Sequence, residues 1–199
     1  MTARNSRILV MAAAFLAGLA LCFGLVLIVA GRLSAPVAQQ IAAIGGPFKL
    51  IDQNGQTVSD QDLKGRPFLV FFGFTHCPDV CPTTLFDVSE ILRALGPDAD
   101  RTRALFITVD PERDTPAVMK DYLSSFDPHL SGLTGNPAEV AAVAKAYRVY
   151  FKKVPLDQGG YTMDHTAIVY LMDKDGRFVS PFNLKRPTDA ATADLRRYL

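Results

Sequence analysis

The sequence predicts an α/β sandwich on a mixed β-sheet, with a β-hairpin added at its start and a single transmembrane helix ahead of it. Three observations carry this. From Phe48 onward, apolar runs of strand length alternate with amphipathic stretches of helix length. Towards the end the order changes to two strands followed by a helix. A run of 24 residues, Ile8 to Gly31, contains no charged side chain. A β-α-β start closed by β-β-α is the thioredoxin arrangement, here with an N-terminal hairpin extension.

The uncharged run would reach about 36 Å as a helix, enough to cross a hydrocarbon core of about 30 Å with some tilt. It exceeds the apolar region of about 7 to 15 residues usual in a cleaved signal peptide, so an uncleaved anchor is expected over residues 1–32. Arg4 and Arg7 precede it and Arg32 follows, which places the N-terminus in the cytoplasm and the domain across the membrane. Cys22 lies within the run and lacks the small residue before it that a lipoprotein site would need. Residues 33–46, rich in Ala and Gln and ending in Gly45-Gly46-Pro47, read as a linker. The domain then occupies residues 47–199.

Phe48 to Ile51, a turn at Asn54-Gly55 and Gln56 to Val58 predict the opening hairpin. Pro67 to Phe74 is apolar throughout, the pattern of a central strand buried on both faces. After Pro82, apolar residues at Leu85, Val88, Ile91, Leu92 and Leu95 predict a helix from Thr83 that stops at Gly96-Pro97. Ala104 to Val109 predicts another buried strand. Thr115-Pro116 and Asn136-Pro137 each supply an N-cap and a proline for the helices that follow, to about Phe126 and to Tyr147. Val149 to Val154, Thr166 to Met172 and Phe178 to Pro181 predict further strands, and a last helix begins at Thr188.

Three of the 21 basic residues precede Leu33, so 18 remain against 20 acidic ones, a balance of −2 with no basic block. Nucleic acid is not an expected partner. Beyond the apolar run the cysteines are Cys77 and Cys81, too few for a disulfide-stapled scaffold, so an ordinary core must hold the domain.

In Cys77-Pro78-Asp79-Val80-Cys81 the thiols stand four residues apart, and a helical turn would bring both sulfurs to one face. They can share a metal or form a disulfide. A helix N-terminus favours thiolate over thiol, so lowered cysteine pKa values are expected there. His165, in Asp164-His165-Thr166 before a predicted strand, is the candidate third group, because the chain entering that strand should run beside the cysteine loop. Two thiolates and an imidazole suit Cu(I), while zinc takes the same donors with a fourth. His76 is expected to point away from the thiols, and His129 to be a surface residue. Asp164 could orient His165 or cap a turn. Asp79 and the run Asp110 to Asp114 could charge the mouth of the site for docking, or simply be solvated.

The segment Phe72-Gly73-Phe74-Thr75-His76-Cys77-Pro78-Asp79-Val80-Cys81-Pro82-Thr83-Thr84 resembles the signature of the Sco/SenC family. Thr108-Val109-Asp110-Pro111-Glu112-Arg113-Asp114-Thr115-Pro116 and Asp164-His165-Thr166 resemble its second and third blocks, in the same order. Thr166 stands where serine is common, and His129 where arginine is. The resemblance implies a copper protein of the cytoplasmic (inner) membrane with its domain facing the periplasm. Cys77, Cys81 and His165 would bind Cu(I) or Cu(II) and assist maturation of the copper A centre of cytochrome c oxidase. The implied partners are the oxidase's copper-bearing subunit and other copper chaperones.

Two other functions remain open. A thiol-disulfide oxidoreductase would use Cys77 to attack and Cys81 to resolve, although the thiols are separated by three residues and not the two of thioredoxins. A redox or copper sensor would signal through a membrane partner.

Overall fold

The computed structural model describes Met11, Leu16 and residues 18–26 and 44–199. The first of these groups is helical and belongs to a unit spanning Met1–Ala42; the second unit is Ala43–Leu199. Most of the expected anchor and linker lies outside the described residues. Among the described residues no helix is long and apolar enough to cross a membrane.

Within the second unit the strand β3 (Phe68–Gly73) is buried at all six positions, as its unbroken apolar sequence requires. It pairs in parallel with β4 (Arg103–Thr108) and antiparallel with β8 (Val169–Met172). On one side β4 is followed by β5 (Leu130–Thr134), β1 (Lys49–Asp52) and β2 (Thr57–Ser59); on the other, β8 is followed by β9 (Phe178–Pro181). The expected opening hairpin is β1–β2, closed where the Gly55 N–H donates to the Asp52 carbonyl at 3.0 Å.

Helices α1 (Val80–Leu95), α2 (Pro116–Leu123), α3 (Pro137–Ala146) and α4 (Thr188–Arg196) complete the domain. α1 buries Cys81, Leu85, Val88, Leu92 and Leu95, an i, i+4, i+7 stripe. Phe71 and Phe106, opposite each other in register, stack at 6.1 Å, and Phe106 also meets Tyr122 of α2. Phe72 belongs to a separate aromatic cluster with Tyr147 and Tyr170, as expected of successive residues in a strand.

The structure corrects two expectations and adds one strand. α1 begins at Val80, not Thr83, because Pro82 falls in the first turn, where its missing N–H has no helical partner to lose. The pattern gave no bounds for β5, whose Gly132 interrupts its apolar character. That glycine is required: a Cβ there would lie 2.6 Å from Leu123 Cδ1 and 2.8 Å from Met119 Cε of α2. Finally, the strand expected at Val149 to Val154 is β6 (Phe151–Pro155), which pairs outside the main sheet with β7 (Tyr161–His165) as a two-stranded ribbon. His165 therefore ends one strand, and β8 starts only at Val169.

Candidate metal centre

Because β8 runs antiparallel to β3, the chain entering β8 lies beside the chain leaving β3, with Phe71 opposite Val169. This topology brings His165 to the cysteine loop from 84 residues away. Cys81 Sγ and His165 Nε2 are 3.6 Å apart, and one donor atom from each of Cys77, Cys81 and His165 lies within 4.8 Å of the others. An ion about 2.0 to 2.3 Å from each of three such donors would need them just under about 4 Å apart in a plane. A small inward movement meets that demand. Among the described residues these three are the grouped Cys, His, Asp or Glu donors.

Each donor has a distinct setting. Cys77 precedes α1 and is half-buried; its sulfur accepts a 3.4 Å hydrogen bond from the Cys81 N–H, one of the free donors of the helix start. Cys81 is buried beneath it, against Gly73, where an added Cβ would fall 2.7 Å from the sulfur. Burial pushes the Cys81 thiol well above the ordinary cysteine range, contrary to the lowering expected from a helix terminus. Desolvation there outweighs the helix dipole, so in the metal-free protein Cys81 holds a proton that an entering cation must displace.

His165 packs edge-on against Phe74 and Phe71, with ring centroids 5.8 and 6.2 Å away. Burial lowers its pKa, which keeps the imidazole neutral, the form that ligates. Its Nδ1 lies 3.2 Å from the Thr166 carbonyl, which can only accept, so Nδ1 carries the hydrogen and the Nε2 lone pair faces Cys81. The orienting group is thus the main chain and not Asp164, which is exposed. The Thr166 side chain is engaged elsewhere, accepting from the Tyr150 N–H at 3.1 Å.

A pocket of about 280 Å³ opens over Cys77 and His165, backed by Phe74 and Met163, with exposed Asp79 and Asp164 at its rim. The other candidates are placed as follows. His76 is exposed and its Nδ1 lies 3.0 Å from Thr75 Oγ1, outside the donor group. His129 is not a free surface residue: Nδ1 meets Asp127 Oδ1 at 2.7 Å and Nε2 meets Asp100 Oδ1 at 3.1 Å. Asp110 and Asp114 are buried, hydrogen-bonded groups and do not charge the mouth; Glu112 pairs with Lys153 at 2.8 Å. Cys22 is exposed in the first unit.

Fold and site together define a class: a thioredoxin-like protein whose paired thiols are joined by one neutral imidazole. The chain belongs to the SCO1/SenC family, whose model matches residues 36–199. An SCO2-like protein of Rickettsia felis is 40% identical over 158 residues, covering 78% of this chain and 75% of the relative. The structure of Bradyrhizobium japonicum ScoI with copper bound is 71% identical, with a TM-score of 0.77, covering 79% of this chain and 100% of that one. BsSco, a member of the Sco family of cytochrome c oxidase assembly proteins in which a disulfide switch is identified, is 26% identical. Its TM-score is 0.62, and the match covers 77% of this chain and 91% of that one.

Proposed function

We propose that this protein is a copper metallochaperone that binds copper through Cys77, Cys81 and His165 and assists assembly of the copper A centre of cytochrome c oxidase. The observation that carries this is the convergence of two sulfurs and one nitrogen within 4.8 Å beneath a pocket open to solvent. Soft thiolates with one imidazole, and no fourth protein donor grouped with them among the described residues, suit three-coordinate Cu(I) better than zinc, which favours four ligands. The half-buried Cys77 is the donor an incoming partner thiolate would reach first, so transfer would proceed through shared thiolates.

The partners in this reading are the oxidase's copper-bearing subunit and an upstream copper chaperone. The run Ile8 to Gly31 would hold the chain in the cytoplasmic membrane with the domain in the periplasm. The test is anaerobic mixing of the Cu(I)-loaded chain with the metal-free, reduced copper-bearing subunit. Copper should move to the subunit and form the copper A absorption once the second ion and oxidant are supplied.

A second reading, thiol-disulfide exchange, is favoured by the layering of Cys77 over the buried Cys81. If the metal-free, reduced chain mixed with the oxidised subunit yields reduced subunit and a Cys77–Cys81 disulfide, while the Cu(I)-loaded chain gives no copper to the reduced subunit, this second reading replaces the first.

A further inference from the structure

The loop that follows β4 takes no direct part in the donor group, yet it holds the chain segments that carry both halves of it. Towards the cysteines, Asp114 accepts from the Thr75 hydroxyl at 2.6 Å, the Thr75 N–H at 3.1 Å and the Thr108 hydroxyl at 2.6 Å. Thr75 is two residues from Cys77, so this fully buried carboxylate fixes the path of the chain leaving β3.

Towards the histidine, the same loop grips Tyr161, the first residue of β7. The Tyr161 hydroxyl donates to Asp110 Oδ1 at 2.9 Å, and Arg113 Nη1 donates to the Tyr161 carbonyl at 3.0 Å. The Arg113 guanidinium lies 3.9 Å from the Tyr161 ring centroid and 5.9 Å from that of Phe74, the ring that packs on His165. Arg113 Nε also bonds Asp110, which holds the guanidinium plane. β6 and β7 share no ladder with the main sheet, so contacts of this kind must set where the ribbon sits.

We infer that Arg113 is a positioning residue that registers the His165 ribbon against the cysteine loop, so that imidazole and thiolates meet at one point. A planar cation with directed donors can bond a carboxylate and a carbonyl at fixed angles while lying flat on a ring; lysine offers a point charge without that fixed geometry. The effect on copper rests on the metallochaperone reading, whereas the effect on the ribbon does not.

The test uses the full chain in detergent micelles, with Arg113→Lys and, as a second variant should the first fold poorly, Asp110→Asn. Cu(I) competition should show each variant weakened by about 10- to 100-fold, the usual scale for groups that orient metal ligands. In a His165→Ala background either change should add no further loss, because the imidazole it positions is gone. In the metal-free chain, amide hydrogens of the β6–β7 ladder should exchange about tenfold faster, with β3–β4 unchanged. Equal losses with and without His165, or ribbon exchange that is unchanged or altered only in step with the whole domain, would overturn the inference. If the parent chain itself fails to bind Cu(I) tightly, the copper reading falls, and the exchange measurement decides the positioning role alone.

Discussion

Gly73 ends β3 directly beneath the Cys81 sulfur, and an added Cβ would lie 2.7 Å from both that sulfur and Phe106 Cε2. Neither neighbour can yield, since both are fully buried. Gly73→Ala should therefore cost about 1 to 3 kcal/mol in urea unfolding and also weaken Cu(I) binding by displacing Cys81. Unfolding and affinity that both match the parent would show that the two do not press on each other. His129 gives a pH test. Hydrogen bonding to Asp127 raises its pKa above the ordinary 6.5, so the folded state holds that proton more tightly than the unfolded one. This stability is fully present below about pH 6.5 and lost as pH rises through the raised value. His129→Gln should be less stable than the parent at pH 6 by about 0.5 to 1.5 kcal/mol, and the gap should close by pH 9. A gap that does not change with pH would contradict the assignment.

Among the elements, α3 shows how local signals act. Asn136 accepts from the Glu139 N–H and Glu139 accepts from the Asn136 N–H, both at 2.9 Å, a reciprocal cap ahead of Pro137. Asn136→Ala should lower unfolding free energy by about 1 kcal/mol and leave Cu(I) affinity within about twofold. A large loss of affinity would tie α3 to the site. Such caps, and strands that are apolar throughout such as β3, were legible in the sequence because each is specified within a few neighbouring residues. The ribbon was only partly legible: β6 and β7 set one buried position, Met163, among half-buried and exposed ones without a clean period of two, since they form no part of the main sheet. The run Asp110 to Asp114 read as charge at the site mouth or as solvated charge, because Tyr161, the partner of Asp110 and Arg113, lies 51 and 48 residues away and only the folded chain brings them together. The three residues that the fold groups were legible, Cys77 and Cys81 from spacing and His165 from the strand it precedes and the family blocks. The lone pair that His165 offers depends on the Thr166 main chain, and no residue type announces that.

For the molecule as a whole, the reading is a metal-binding domain held at a membrane. Deleting residues 1–32 should move the protein from the alkali-resistant membrane fraction to the soluble one, with Cu(I) affinity unchanged within about twofold. Membrane retention without those residues would remove the proposed anchor. The domain's side of the membrane is tested by protease added to intact spheroplasts, which should digest it. The three-donor copper site is put to the test by anaerobic Cu(I) competition against a chromophoric chelator, comparing the reduced chain with Cys77→Ser and His165→Ala. The parent should bind one Cu(I) tightly, and each variant should lose about tenfold or more in affinity. Binding by His165→Ala that equals the parent's would contradict the three-donor site, removing the imidazole from it and leaving copper held by the two thiolates alone.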